Sequence, residues 1–201
     1  IEGFENLIKL VQKEMPLTKA KNTKEMWDKF LRIVFLGGGR SDAEINYVIN
    51  LLKKETDYDF VLKTRGENWS EAVGAVLEKA LGKEKDERFV FALNGLKKEL
   101  WRITASIKGS ARYFERMKMS PEVLEKLCKD KESTWEFIEE LADDEDVTNI
   151  KFTKIIIWLH SVGYAKDFCP PSRQIKNFVN KDLEIRYQFY EDDKFFMQKV
   201  Q

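Results

Sequence analysis

Residues 150–179 read IKFTKIIIWLHSVGYAKDFCPPSRQIKNFV, and this stretch decides which fold the chain is expected to adopt. It combines a short turn, a lysine at Lys154, an apolar run, a loop with two prolines and the start of another helix. The triplet Ile155-Ile156-Ile157 alone would favour a strand. The apolar run continues to Val162, beyond the usual length of a strand, so the stretch predicts a buried helix.

Helical periodicity extends outward from this stretch through almost the whole chain. Apolar residues recur at helical spacing within residues 26–34, 45–52, 73–80, 96–107 and 137–141. Such spacing gives each segment one apolar face, which is typical of amphipathic helices packed around a core. The sequence therefore predicts an all-α fold.

Capping and breaking residues predict where these helices begin and end. Ser41 with Glu44 and Ser133 with Glu136 have the spacing of capping boxes, and Ser120-Pro121 is typical of a helix start. The glycines at positions 37–39, 82, 95 and 109 are expected to end helices, and a shorter helix is expected over 111–117.

The chain is long enough for two small lobes. We expect a central helical lobe over residues 21–166. We expect a second, smaller helical lobe to combine residues 1–20 with residues 167–201, and a cleft for a ligand between the two.

The composition restricts the chemistry. The 201 residues contain 35 Lys+Arg and 35 Asp+Glu, so any basic binding face must be local. Cys128 and Cys169 are too few to hold an iron–sulfur cluster or a four-cysteine zinc site. The single histidine, His160, argues against histidine-based metal sites and is expected to be a satisfied or half-exposed helical residue.

No apolar run approaches the roughly 20 residues of a membrane span, and no signal peptide is visible. The scarcity of cysteine favours a reducing compartment. We therefore expect a protein of the cytoplasm, or of the nucleus in a eukaryote.

The layout of residues 150–179 resembles the active-site core of the helix-hairpin-helix DNA glycosylases, which include endonuclease III and 8-oxoguanine DNA glycosylase. In the endonuclease III branch, a lysine at the start of the second hairpin helix precedes an aspartate by eighteen residues. Lys154 and position 172 have that separation. Residues 30–46 resemble the family's early helix and DNA-facing loop, and residues 96–114 resemble the helix pair before the hairpin.

Three positions depart from the family pattern. Position 172 is Ser172 rather than aspartate, and Ile150-Lys151-Phe152-Thr153 replaces the glycine-rich hairpin turn. The family's archaeal 8-oxoguanine glycosylases share a degenerate hairpin with a Phe-Thr pair. Gly37-Gly38-Gly39-Arg40 stands where the family often has a Gln or Asn.

The resemblance implies a role for each matching residue. Lys154 would attack C1′ of the sugar as a neutral amine, and Ser172 would occupy the aspartate position. Arg40 would fill the gap left by a flipped base. The backbone of Ile150-Lys151-Phe152-Thr153 would bind a phosphate at a helix N-terminus.

Ser41, Arg173 and Lys176 complete the expected DNA-binding set. The implied partner is double-stranded DNA bound by a monomer, and neither a cofactor nor a metal is expected. The implied function is base-excision repair by a DNA glycosylase, with or without lyase activity at abasic sites.

Each of these residues also has a purely structural interpretation. Lys154 would be a partly solvated lysine at a helix start, Ser172 a plain N-cap, and residues 143–146 a solvated acidic loop. Asp167 would compensate for Ser172 only if it reached the site. Two other functions remain open: a catalytically inactive DNA-binding module of the same fold, which Ser172 favours, and an unrelated helical protein-interaction domain, which the balanced charge favours.

Overall fold

The computed structural model describes residues 18–37, 39–165 and 168. Within these residues the secondary structure consists of nine α-helices and no strand, which confirms the predicted all-α class. The helices are α1 Thr23–Phe35, α2 Asp42–Leu51, α3 Tyr58–Lys63, α4 Gly66–Leu81, α5 Glu87–Lys98, α6 Leu100–Arg116, α7 Pro121–Leu127, α8 Lys131–Asp143 and α9 Phe152–Ser161.

The chain divides into two compact units. The first unit is Thr23–Met119 with Asp143–Ile150, and the second is Ile1–Asn22, Ser120–Ala142 and Lys151–Gln201. This division differs from the expected one, because α7, α8 and α9 group with the terminal segments rather than with the central helices. The chain therefore enters the first unit twice, once for α1–α6 and once for the short loop before α9.

An aromatic cluster between α1 and α6 forms the core of the first unit. Trp27, Phe30 and Phe114 are buried, and the Phe114 ring centroid lies 5.4 Å from that of Trp27 and 5.3 Å from that of Phe30. Trp27 Nε1 donates a hydrogen bond of 2.9 Å to the Thr56 carbonyl, which satisfies the buried indole. Helix α6 also packs against α3, α4 and α5, so it is the central helix of this unit.

Two predicted helix ends inside the first unit are wrong. Gly95 lies within α5 and Gly109 lies within α6, so the separate short helix expected over 111–117 is the second half of one helix. A glycine inside a helix costs about 1 kcal/mol relative to alanine. That cost is offset here by close packing: an added Cβ at Gly95 would lie 3.3 Å from Arg40 Nη2, and Gly109 lies directly against the backbone of another segment.

The predicted helix starts are partly confirmed. Ser41 and Glu44 form a full capping box at α2, and Ser120 Oγ accepts a hydrogen bond from the Val123 N–H at α7. The box expected from Ser133 and Glu136 is wrong, because α8 begins two residues before Ser133. Asp130 accepts the Ser133 N–H at 2.8 Å instead and acts as the cap.

The second unit packs α9 against α8 through aromatic residues. The Trp158 ring lies 6.5 Å from that of Phe137, and both residues are buried. The Trp135 ring of α8 stacks 5.6 Å from Phe152 at the start of α9 and 6.2 Å from Phe168, which follows α9 in the chain. Aromatic pairs of this kind add to the stability that burial of their area provides.

Gly163 fastens the segment before α1 to the end of α9. It has a φ of +89°, and an added Cβ would lie 3.0 Å from both Lys19 Cα and Lys19 N. The neighbouring Val162 carbonyl accepts a 3.2 Å hydrogen bond from Ala20 N. A side chain at position 163 would thus be both conformationally strained and sterically crowded.

We expect Gly163→Ala to lower the free energy of unfolding by about 2 kcal/mol, because the left-handed φ alone costs 1–2 kcal/mol for a residue with a Cβ. Urea titration followed by circular dichroism measures this change. The matched control is Gly66→Ala at the start of α4, where an added Cβ meets nothing within 4 Å. The control should be neutral or slightly stabilising. Equal effects of the two substitutions would contradict this account of Gly163.

Candidate functional site

The candidate site is built on the helix-loop-helix formed by α8, residues 144–151 and α9. Lys154 is the third residue of α9 and is half-buried. The predicted helix over Ile155-Ile156-Ile157 is confirmed, and its buried face positions Lys154 in the first turn. The first N–H groups of a helix lack intrahelical acceptors, so this turn has the polarity of an anion site.

Side chains at residues 150–152, where the loop meets α9, are buried in the fold or contact α8. Ile150 and Phe152 are buried, and the Lys151 ammonium donates to the Ala142 carbonyl in the last turn of α8. Lys151 therefore caps the preceding helix at its negative end. Of the four predicted phosphate-binding residues, these three have their side chains committed to the fold, so a phosphate would meet the backbone of this turn.

The loop between the helices is docked closely on α6. An added Cβ at Gly109 would lie only 1.7 Å from the Asp146 carbonyl oxygen, so the loop backbone passes directly over this glycine. Beside it, Ser106 Oγ donates a 2.8 Å hydrogen bond to the Thr148 carbonyl and accepts one of 3.3 Å from Asn149 Nδ2. Asn149 has a φ of +61°, which turns the chain from the loop into α9.

The acidic run in this loop is ion-paired with α6. Arg116 contacts both Asp144 and Asp146, and Arg112 lies 2.9 Å from Asp146. Only 15% of the Asp144 side chain and 26% of the Asp146 side chain are exposed. The Arg112 guanidinium holds the pKa of Asp146 below its usual value. The expectation of a solvated loop is thus wrong for these two aspartates, and much of the negative charge beside the turn is neutralised.

Arg40 has a different environment from the one expected of a residue that fills a gap in DNA. Its side chain is only 6% exposed, and Nη1 donates to the Phe35 and Gly37 carbonyls at 3.4 and 3.3 Å. Nη2 lies 3.5 Å from a Glu99 carboxylate oxygen. Arg40 therefore joins the end of α1 to the junction of α5 and α6, and it would have to break these contacts to enter DNA. Ser41 next to it is the α2 cap described above.

Other predicted site residues lie outside the described part of the chain. These are Ser172, Arg173 and Lys176, together with Asp167. The structure therefore relates Lys154 to none of them.

Sequence reasoning missed the aromatic stack at the start of α9. Phe152, which lies two residues before Lys154, stacks on Trp135, and Phe168 stacks on the same indole. His160 Nε2 contacts the Phe168 carbonyl, and burial lowers the pKa of this histidine. The helical, half-buried position expected of His160 is confirmed. No sequence periodicity reports such a stack, because its rings come from three separate segments.

A half-buried thiol lines a cavity in the second unit. This cavity of about 430 Å³ is lined by Cys128, Lys19 and Tyr164 among others. Burial raises the pKa of the Cys128 thiol to about 12, which keeps it protonated and unreactive. Residues 18–37, 39–165 and 168 contain no group of three His, Cys, Asp or Glu side chains placed to hold a metal ion. No helix within those residues is long and apolar enough to cross a membrane.

Comparison with known proteins does not assign this chain to a family. The chain matches no protein-family model, no curated protein and no solved structure at a significant level.

We expect Gly109→Ala to destabilise the protein by about 3 kcal/mol or more, because a Cβ at 1.7 Å from a carbonyl oxygen forces the loop or α6 to move. Thermal and urea denaturation measure the loss. Gly74→Ala is the matched control in the interior of α4, where the new Cβ would meet Leu100 Cδ2 at an ordinary 3.7 Å. Better helix propensity should stabilise the control by up to about 1 kcal/mol. A Gly109→Ala protein as stable as the parent would show that the loop does not pack on α6 in this way.

Proposed function

We propose that this chain is a base-excision repair DNA glycosylase that acts on an oxidised or alkylated base and uses Lys154 for strand cleavage. The observation that carries this proposal is the position of Lys154 in the first turn of a buried helix that follows another helix and the loop over residues 144–151. The order of these elements is the one that the family resemblance implies.

The chemistry asked of Lys154 is an amine attack on the sugar. With the damaged base flipped out of the duplex, Nζ forms a bond to C1′. The glycosidic bond breaks, its electron pair leaves with the base, and a proton is delivered to that base. The bound nitrogen then loses a proton, and the C1′–O4′ bond breaks with its electron pair going to O4′, which takes up a proton, to give a Schiff base. Removal of a C2′ proton from this Schiff base forms the C2′–C3′ double bond and expels the 3′-phosphate as the C3′–O bond breaks. The attacking amine must be neutral, because only the unprotonated nitrogen has a free electron pair for the new bond.

The surrounding turn supplies a place for the DNA backbone. Two side chains of the turn, Ile150 and Phe152, are buried, which leaves the start of α9 to contact a phosphate through its N–H groups. The ion pairs of Arg112 and Arg116 with Asp144 and Asp146 reduce the local negative charge that would repel such a phosphate.

The second candidate function is a DNA-binding module of the same fold without chemistry. Ser172 favours it, because a hydroxyl carries no charge to stabilise the cation that develops at C1′. In that case the protein would recognise lesions or DNA shape, and base release would be absent.

We expect borohydride to trap a covalent complex between the protein and a lesion-bearing duplex, and Lys154→Gln to abolish the trapped band. Duplexes containing 8-oxoguanine, an alkylated purine or an abasic site, resolved by denaturing electrophoresis, provide the readout. The matched control is Lys126→Gln, which changes an exposed lysine on α7. Trapping that persists in Lys154→Gln would assign the amine to another residue, and no trapping or base release from any duplex would exclude the enzymatic proposal.

We expect Ser172→Asp to raise base release by at least tenfold if the chain is a weak glycosylase, because the carboxylate would restore charge stabilisation at the reacting carbon. Single-turnover base release measures this rate, with Ser172→Asn as the uncharged control of similar size. Gel-shift binding with no base release in either variant would favour the binding module over the enzyme.

A further inference from the structure

Two large apolar side chains stand out on the surface of the first unit. Phe91 on α5 is 71% exposed and Trp101 on α6 is 74% exposed, whereas the other large apolar side chains of the described residues are at least partly covered. Aromatic residues are enriched at binding interfaces relative to the rest of a protein surface, so these two side chains are candidates for contact with a partner.

The two aromatic residues lie on consecutive helices, on either side of the junction between α5 and α6. Phe91, Asn94 and Lys98 have the spacing of one helical face on α5, and all three are exposed. Along α5, Phe91 and Lys98 are roughly 10 Å apart, given a rise of 1.5 Å per residue. Trp101 follows three residues after Lys98, at the start of α6. We call Phe91, Lys97, Lys98, Trp101 and Arg102 the α5–α6 corner.

The charge of this corner is positive around Trp101. Glu99 is the single acidic residue within residues 97–102. Its Oε2 forms an ion pair with Arg102 Nη2 at 2.8 Å and lies 3.5 Å from Arg40 Nη2. Lys97 pairs with Glu78 at 2.9 Å while both side chains remain largely exposed. Lys98 forms no ion pair within the described part of the chain, so an exposed, unpaired cation precedes Trp101 by three residues.

We propose that the α5–α6 corner is a second DNA-contacting surface, which binds unpaired nucleotides by stacking a base on Trp101 and holding the adjoining phosphate with Lys98. This inference rests on the proposed function in taking DNA as the partner. A flat, exposed ring and an unpaired cation three residues away in sequence match the two features that every nucleotide offers, a π face and a phosphate.

The charge of the corner decides against the simplest alternative, a second copy of this chain. A two-fold dimer formed through this corner would bring Lys98 and Arg102 towards the same cations of its partner. Like charges facing each other across an interface disfavour such a complex. A polyanion meets no such penalty and gains from releasing its counterions.

Enzymes that act on a flipped base work on DNA that is locally unpaired. A stacking surface would favour such DNA over an intact duplex, whose bases already stack on one another. The corner is therefore expected to bind single strands more tightly than duplexes of the same length.

The test is the affinity of the full chain for a fluorescein-labelled 12-nucleotide thymidine strand, measured by anisotropy at low salt. We expect Trp101→Ala to weaken binding by about tenfold, because loss of one base–aromatic stack has an effect of this size. Trp101→Phe retains a π face and should stay within about threefold of the parent. Since Trp101 is exposed, neither change should alter the circular dichroism spectrum or the melting temperature.

Salt dependence tests the phosphate contact separately. Lys98→Gln should lower the slope of log affinity against log salt by about 0.7, the value for one phosphate contact on a single strand. Lys83→Gln, at an exposed lysine between α4 and α5, is the matched control and should leave the slope unchanged.

Any of three results would overturn the proposal. The first is equal affinity of Trp101→Ala and the parent for the strand. The second is binding to vesicles of phosphatidylserine and phosphatidylcholine without binding to the strand, and the third is a dimer in sedimentation that Trp101→Ala abolishes.

These results are independent of Lys154. Trapping at Lys154 without any effect of Trp101 would reject the corner alone. Strand binding through Trp101 without trapping or base release on any lesion would reject the enzyme alone.

Discussion

The contact on which the candidate site depends is the passage of the loop backbone over Gly109. A Cβ there would be 1.7 Å from the Asp146 carbonyl, so only a glycine permits the loop to lie this close to α6. Around that contact, hydrogen bonds from Ser106 and Asn149 and ion pairs from Arg112 fix the rest of the loop. These interactions have different physical origins, and all of them fail if the backbone approach is lost. They hold the segment from which α9 and Lys154 begin.

The packing of the loop on α6 also accounts for the short return of the chain to the first unit, which lasts eight residues. Asp143–Ile150 belongs to the first unit, whereas most of α8 and all of α9 belong to the second. Lys151 closes the base of this excursion by capping α8 at the Ala142 carbonyl. The loop is thus held at its tip by α6 and at its base by its own flanking residue.

Electrostatics separates the residues that stabilise the fold from those that remain exposed for binding. Arg40 is buried against carbonyl oxygens and Glu99, so its energetic role lies in joining α1 to the α5–α6 junction. Lys98 forms no ion pair within the described residues, and Trp101, three residues later, is exposed. The chain has no net charge, yet its cations are distributed unevenly between paired and unpaired positions. A local basic surface is compatible with that balance, as the composition required.

Much of the fold followed from local pattern, because helical periodicity and caps depend on residues close in sequence. The helix over Ile155-Ile156-Ile157, the capping box at Ser41 and the start at Ser120 were predictable for that reason. The sequence predicts helix ends at Gly95 and Gly109 that the structure does not have, because the cost of a glycine inside a helix is local whereas the packing that offsets it is not. The burial of Arg40, the pairing of Asp144 and the stack of Trp135 likewise arise between segments far apart in sequence. The sequence by itself determined the helical class and the place of Lys154 at a helix start. Only the tertiary structure decided which glycines, charges and rings meet, because those contacts depend on the relative positions of helices that no local pattern encodes.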